Sequence, residues 1–201
     1  MDIPCLMPNQ MEAFNGDTFI ELEFLRLKEI FNIETAIETG TCLGSTTRFL
    51  AIHFKRVISI EINEQYMQIA RKRLDGIQNI DTYVEASEII LDKVLAAEPS
   101  VTNNTIFFLD AHWGDHCPLQ DEMRIIAKHQ LRPVISIHDF QVPGQPGLGF
   151  DCHGEQPFNF EWLKESIENI YGKEGYSHYY NSELESTAIK RGIIYITPRE
   201  H

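Results

Sequence analysis

Residues 35–46, TAIETGTCLGST, decide the fold, because an apolar strand ends there in a glycine turn that leads into a helix. Gly40 allows the backbone to turn sharply after the strand, and Gly44 allows the loop to approach a ligand closely. Ser45 and Thr46 begin the next helix, whose free N–H groups suit a carboxylate. The spacing differs from the GxGxxG pattern of dinucleotide sites, which disfavours an NAD-dependent enzyme.

The rest of the chain repeats this alternation of apolar strands and amphipathic helices. The predicted strands are 35–39, 56–61, 81–84, 105–109 and 133–138, and the predicted helices are 17–31, 45–54, 64–74, 87–97 and 119–129. Asp17 is the expected N-cap of the first helix. Near-continuous apolar strands between helices indicate a parallel sheet covered on both faces. The sequence therefore predicts an α/β fold in a single domain, 1–201.

The C-terminal third has a different pattern. Residues 143–157 are rich in glycine and proline and have no periodicity, so we predict a loop there. A helix is expected at 159–171, followed by strands at 176–181 and 192–197 with no room for a long helix between them. Two strands so close in sequence pair antiparallel.

Composition narrows the classes of partner. The net charge of -13 and a pI near 5.0 disfavour nucleic acid, because an acidic surface repels phosphate backbones. No apolar run is long enough to cross a bilayer, and the N-terminus does not resemble a signal peptide. The four cysteines show no metal-binding spacing. We expect a cytoplasmic protein with reduced thiols that acts on a small molecule and not at a membrane.

Polar residues at two strand ends suit a nucleoside. Glu61 closes the second strand and could accept both hydroxyl groups of a ribose. Ala86 and Ser87 follow the third strand, where a small polar residue can meet an adenine edge. The structural alternative for Glu61 is a surface glutamate without a ligand, and the alternative for the loop at Gly40 and Gly44 is a purely structural turn.

Carboxylates also end the next two strands. Asp110 follows the fourth strand and Asp139 follows the fifth, so the two side chains should lie close together. Such carboxylates share a proton or hold a cation, and a hard divalent ion is the natural partner. His112 and His138 lie beside them and are candidate bases or ligands.

Five segments together resemble the class I S-adenosylmethionine-dependent methyltransferases. These are ETGTCLGSTT, VISIEIN, VEASEII, FFLDAHW and SIHDF, in the order of the family's motifs across about residues 34–140. The chain is most similar to the metal-dependent small-molecule O-methyltransferases of the catechol O-methyltransferase group, with macrocin O-methyltransferase and cephalosporin-hydroxylase-like proteins as further relatives. The resemblance implies a Rossmann-like three-layer sandwich with a seven-stranded, mostly parallel sheet whose last two strands are antiparallel.

The resemblance also implies roles for individual residues. S-adenosylmethionine would be bound by the glycine loop, with the methionine carboxylate at Thr46, the ribose at Glu61 and the adenine near Ser87 and Trp113. The implied cofactor-binding set is Glu38, Thr39, Gly40, Thr41, Gly44, Ser45, Thr46, Glu61, Ile62, Ala86, Ser87, Asp110 and Trp113. The implied metal ligands are Asp110, His138 and Asp139, which would bind Mg, Mn or another transition metal.

The chain departs from this family at the acidic end. His138-Asp139 stands where the family has Asp-Asn or two acids, and imidazole favours transition metals over Mg. The lysine base of the catechol enzymes is missing. His112, Asp115, His116 and His138 are the candidate bases, and the catalytic set that we predict is His112, His138 and Asp139.

Three functions therefore remain open. The first is metal-assisted methylation of a small-molecule hydroxyl group, in which the cation lowers the pKa of the acceptor. The second is a metal-independent N- or O-methyltransferase with a histidine base. The third is a non-catalytic protein that binds S-adenosylmethionine or serves in assembly. We further predict that 143–158 forms a lid and that 1–33 forms a helical cap, with a homodimer contact as the alternative.

Overall fold

The computed structural model describes residues 12–98, 101–112, 116–186 and 189–199. Within these ranges one sheet of seven strands has the order β3-β2-β1-β4-β5-β9-β8. Its strands are β1 (Thr35–Thr39), β2 (Arg56–Glu61), β3 (Ile80–Val84), β4 (Thr105–Leu109), β5 (Val134–His138), β8 (Tyr176–Tyr180) and β9 (Ile193–Pro198). The first five pair in parallel, and β9 runs antiparallel to both β5 and β8. The predicted seven-stranded sheet with an antiparallel last pair is confirmed.

The helices cover both faces of this sheet. They are α1 (Thr18–Ile30), α2 (Ser45–His53), α3 (Glu64–Arg73), α4 (Ser87–Ala97), α5 (Leu119–Lys128) and α6 (Phe160–Tyr171). Buried residues of α4, α5 and α6 pack on one face, as Leu91, Met123 and Ile167 show. Phe24 of α1 and Leu50 of α2 pack on the other. This arrangement is the predicted three-layer sandwich.

Local sequence explains the helix starts. The Asp17 side chain accepts hydrogen bonds from the N–H groups of Phe19 and Ile20, and it is the predicted N-cap. The Asn63 side chain caps α3 in the same way. Three basic residues in the last turn of α3 favour the negative end of the helix dipole.

Two short elements were not expected. Ala13–Gly16 forms a 3-10 turn before α1, although no apolar periodicity marks it. Residues 143–157, predicted to be an irregular loop, contain a small hairpin of β6 (Cys152–His153) and β7 (Gln156–Pro157). Two-residue strands are too short to show an alternating pattern, so periodicity could not reveal them.

Candidate active site

The carboxyl ends of the parallel strands open into a cavity of about 400 Å³. Most of the predicted site residues line it: Gly40, Thr41, Ser45, Thr46, Glu61, Ile62, Ser87, Asp110, His112, His138 and Asp139. His116, a candidate base, lines it as well. Four predicted residues do not: Glu38, Thr39, Gly44 and Ala86. Trp113 and Asp115 lie outside the described residues.

Gly40 joins the turn after β1 to the turn after β4. Its φ is +86°, and a Cβ at this position would lie 2.5 Å from the Asp110 carbonyl oxygen. Only glycine fits both the left-handed backbone and this close approach. The two turns therefore form one continuous floor under the cavity.

Glu61 ties the second strand end to the same loop. Its Oε2 accepts a hydrogen bond from the Cys42 N–H at 2.8 Å, and its Oε1 accepts one from the Asn63 N–H at 2.8 Å. Burial raises the pKa of Glu61, against the lowering effect of these N–H donors. Each carboxylate oxygen has a second lone pair that can accept from a ligand hydroxyl. The carboxylate is thus bonded directly to the turn that follows Gly40 and lines the cavity beside it.

Glu38 lies beneath the glycine loop and does not reach the cavity. Its Oε2 accepts hydrogen bonds from Thr47 Oγ1 at 2.5 Å and Ser59 Oγ at 2.6 Å. Burial raises the pKa of Glu38 to about 8. A side chain within a strand points to a face of the sheet and not beyond its end, which explains why this predicted cofactor ligand instead supports the loop.

The Thr46 hydroxyl has a partner that the sequence did not indicate. Its Oγ1 accepts a hydrogen bond from the Phe14 N–H at 3.0 Å. Glu12, Phe14 and Asn15 also line the cavity, although sequence reasoning assigned them no role. Phe14 and Asn15 both have positive φ, at 48° and 57°. Residues 1–11 of the expected cap at 1–33 lie outside the described residues, and the strained turn at 13–16 contributes to the cavity wall.

A cluster of charged side chains forms the other end of the cavity. Ligand atoms of Asp110, His112 and Asp139 all lie within 4.8 Å of one another. His112 Nε2 lies 2.6 Å from Asp151 Oδ2 and 3.1 Å from Asp139 Oδ2. Asp139 has a φ of +57°, a conformation that Asp adopts more readily than most residues. This backbone turn places the Asp139 carboxylate beside His112.

His138 ends β5 and lines the cavity beside Asp110 and Asp139, as the sequence predicted. It is 3% exposed, and its Nδ1 lies 3.3 Å from Asp110 Oδ1 and 3.2 Å from Asp139 Oδ1. Burial lowers the pKa of His138, but the charges of Asp139 and Asp110 raise it by more, well above its usual range. The metal-ligand role of His138 stays a prediction, and in this structure its ring lies between the carboxylates of Asp110 and Asp139.

The same charges act on the other members of the cluster. Burial lowers the pKa of His112, but its hydrogen bond to Asp139 and the nearby aspartates raise it to about 9. Burial raises the pKa of Asp139, but the charge of His138 and the contacts with His112 and Arg191 hold it well below its usual range. Asp139 is thus ionised, and His112 is protonated at neutral pH.

Arg191 completes the cluster and was missed from the sequence. Its Nε donates to Asp139 Oδ1 and its Nη2 donates to Asp151 Oδ1. Arg191 precedes β9 by two positions and is separated from Asp139 by 52 positions in the chain. No recognisable motif surrounds Arg191, so the sequence does not mark it as a site residue. The antiparallel pairing of β9 with β5 brings it to the site.

The segment 143–158, predicted to be a lid, contributes none of the residues that line the cavity among those described. The segment contacts the site through Asp151, whose N–H donates to the Asp139 carbonyl oxygen at 2.9 Å. The ring centroid of Phe158 lies 5.3 Å from that of His112. The segment therefore holds the histidine in place in this structure.

Comparison with solved structures identifies the fold. An O-methyltransferase from Bacillus cereus in complex with SAH has 17% identity and a TM-score of 0.66, with 94% of this chain and 85% of that chain covered. The chain has the fold of the class I methyltransferases. TomG, an O-methyltransferase from Streptomyces achromogenes involved in tomaymycin synthesis and solved with SAM, has 15% identity and a TM-score of 0.62, with 90% and 80% covered.

The fold neighbours differ in substrate. An rRNA methylase from Streptococcus thermophilus matches with 17% identity and a TM-score of 0.60 over 92% of this chain and 97% of that chain. No protein-family model matches the chain, and a search of curated proteins gave no relative. At these identities the likeness establishes the fold, and activity has to be argued from the site. In the described part of the chain, no helix has both the length and the apolar character needed to cross a membrane.

Proposed function

We propose that the protein is an S-adenosylmethionine-dependent methyltransferase that methylates a hydroxyl group of a small molecule. One observation carries this proposal: a single cavity joins the glycine loop and Glu61 at one end to Asp110, His112 and Asp139 at the other. The first end offers the groups that a nucleoside needs. The second offers a base and charged groups beside the position of a reacting methyl group.

The cofactor end suits adenosylmethionine in size and chemistry. Glu61 has free lone pairs for the two ribose hydroxyl groups, and its backbone partners Cys42 and Asn63 fix its orientation. Ser87 and the exposed apolar side chain of Ile62 lie at the same end, where they can contact an adenine ring. The turn at 40–46 would then bind the methionine part of S-adenosylmethionine.

His112 is the base that the geometry favours. Both histidines line the cavity, but the His112 side chain is 20% exposed and held between Asp139 and Asp151, whereas His138 is only 3% exposed. The neutral imidazole would remove the proton of the acceptor hydroxyl group. The oxygen would then attack the methyl carbon as the carbon–sulfur bond breaks, which gives a methyl ether, adenosylhomocysteine and a protonated His112. The positive sulfonium of bound cofactor would lower the pKa of His112 and so favour its neutral form.

The divalent cation implied by the family resemblance does not fit this cluster. The distances among Asp110, His112 and Asp139 would suit a small ion. However, Asp139 Oδ1 already accepts from the Arg191 guanidinium, and His112 Nε2 is bonded to Asp151. An ion at Asp139 would lie against a fixed positive charge. Of the alternatives that the sequence left open, the metal-independent methyltransferase is therefore favoured.

The small-molecule acceptor is proposed on charge. A net charge of -13 opposes a nucleic acid substrate of the kind named for the rRNA methylase neighbour. The cytoplasmic location and a homodimer stay predictions.

Binding of the cofactor tests the proposal directly. We expect calorimetry to show one molecule of S-adenosylmethionine or adenosylhomocysteine bound per chain, and no binding of NAD. A ligand at about 100 times its Kd should raise the free energy of unfolding by about 2.7 kcal/mol. If neither adenosyl compound binds, the proposal is wrong.

Methyl transfer separates an enzyme from a non-catalytic binding protein. Methyl-labelled S-adenosylmethionine should label at least one member of a panel of catechols, hydroxylated sugars and phenols. His112→Gln should lower this rate by about 10²–10⁴-fold without changing the Kd of the cofactor, because only the base is removed. His53→Gln, a change in α2 away from the cavity, is the matched control. Equal rates in both variants would exclude His112 as the base.

A further inference from the structure

Backbone hydrogen bonds on both sides of Arg191 fix its position. The Gly192 N–H donates to the Gly149 carbonyl oxygen at 2.8 Å, and the Gly149 N–H donates to the Lys190 carbonyl oxygen at 2.8 Å. A Cβ at Gly149 would lie 2.9 Å from Arg191 Nη1, so the glycine makes room for the guanidinium. The loop before β6 and the residues that lead into β9 therefore fix the orientation of the Arg191 side chain.

The guanidinium bridges the two carboxylates that contact His112. In both Asp139 and Asp151, Oδ1 accepts a hydrogen bond from Arg191. In both residues, Oδ2 faces His112 Nε2. The Arg191 side chain is 24% exposed, so water screens it only partly. Arg191, the two aspartates and the histidine form a closed ring of charged groups.

We propose that Arg191 is a built-in cation that takes the place of a divalent metal ion in this site. It supplies the positive charge that balances Asp139 and Asp151, and it positions His112 through them. The ring leaves no oxygen of Asp139 free of a positive or hydrogen-bonding partner, so the native site does not bind a divalent ion. Arg191 is a positioning residue, and this inference extends the proposed methyltransferase function.

Removal of the guanidinium should create a metal site. Without Arg191, the three carboxylates of Asp110, Asp139 and Asp151 and the His112 imidazole would face one another with less compensating charge. Oxygen ligands and one imidazole suit Mn²⁺. We expect Arg191→Met to bind Mn²⁺ at least about tenfold more tightly than the native protein, because a nearby positive charge has been removed. Arg191→Lys should remain like the native protein, because it keeps the charge.

The experiment is a Mn²⁺ titration of the full chain after treatment with chelator, followed by electron paramagnetic resonance of free Mn²⁺. Arg199→Met, a change at an exposed arginine that bonds Ser177, is the matched control and should leave Mn²⁺ binding unchanged. Thermal unfolding of each variant shows whether it is folded. If Arg191→Met does not fold, Arg191→Gln, which also removes the charge and keeps a polar side chain, takes its place in the titration with the same expected result.

Two results would overturn the inference. One is a micromolar Mn²⁺ site in the native protein that Asp139→Asn abolishes. The other is a folded Arg191→Met variant whose Mn²⁺ affinity equals that of the native protein. Calorimetry with adenosylhomocysteine on the same samples tests the proposed function separately, so failure of one does not imply failure of the other.

Discussion

The two ends of the cavity are held together by different kinds of contact. At the cofactor end, backbone groups fix the one carboxylate: Glu61 accepts from two N–H groups, one of them 19 positions away. At the acidic end, charged side chains fix one another, and Arg191 is 52 positions from Asp139. Backbone donors keep their charge distribution at any pH, whereas the ring around His112 depends on which groups are protonated. We therefore expect the first end to be sensitive to shape and the second to charge.

The largest effect is expected at the turn that joins both ends. Gly40→Ala adds a Cβ 2.5 Å from the Asp110 carbonyl oxygen at a φ of +86°. Left-handed strain of about 1–2 kcal/mol and overpacking of about 1–3 kcal/mol should together lower the free energy of unfolding by about 2–5 kcal/mol. Chemical denaturation measures this loss, and calorimetry should show that cofactor binding is lost with it.

Gly76→Ala is the matched control for this change. Gly76 has a φ of +82°, yet a Cβ there would meet nothing within 4 Å. It should cost only the left-handed strain of about 1–2 kcal/mol and leave cofactor binding intact. Equal losses in the two variants would show that the contact with Asp110 is unimportant.

Glu61→Gln tests the cofactor end with a side chain of nearly the same size. The negative charge is lost, and the amide NH2 cannot accept from the Cys42 or Asn63 N–H; a hydrogen bond to a charged group contributes about 1.5–3 kcal/mol. We expect the Kd of adenosylhomocysteine to rise by about 10–100-fold, as measured by calorimetry. Glu64→Gln, in the first turn of α3, controls for the loss of one carboxylate. An unchanged Kd for Glu61→Gln would remove Glu61 from the binding site.

Glu38→Gln tests whether the support beneath the cofactor end depends on pH. The folded-state pKa of Glu38 is raised to about 8, so its contribution to stability is complete below pH 4.5 and is lost as pH rises through 8. Gln cannot ionise, so the stability of the variant relative to the native protein should improve between pH 5 and pH 9. Urea unfolding across this range measures the difference, and Glu29→Gln, at an exposed carboxylate, is the control. A constant difference would show that Glu38 does not titrate there.

The smallest effect is expected at the acidic end, where one of several charges is removed. Asp151→Asn should lower the pKa of His112 from about 9, because Asp151 is one of three carboxylates that raise it. The imidazole resonances of His112, assigned with His112→Gln, follow this titration by nuclear magnetic resonance. Asp92→Asn should leave them unchanged, since Asp92 contacts Lys128 and His129 instead. A pKa near 9 in both variants would mean that Asp151 does not influence His112.

Strand-end residues were predictable because parallel strands place their carboxyl ends at one edge of the sheet. Glu61, Asp110 and Asp139 each follow an apolar run, and each lines the cavity. Glu38 shows where this reasoning stops: it lies one residue before the end of β1, so its side chain turns into the sheet. A shift of a single residue along a strand reverses the direction of the side chain.

The sequence by itself determined the sheet, its helices and the cofactor end, since local periodicity and glycine turns act over a few residues. At the acidic end the sequence indicated Asp110 and Asp139, and only the tertiary structure added Arg191 and Asp151. Arg191 and Asp151 lie in segments without periodicity. The pairing of β9 with β5 brings Arg191 to Asp139, and the Asp151 N–H donates to the Asp139 carbonyl oxygen. Contacts between distant charged side chains depend on how whole elements pack, and no local pattern in the chain records them.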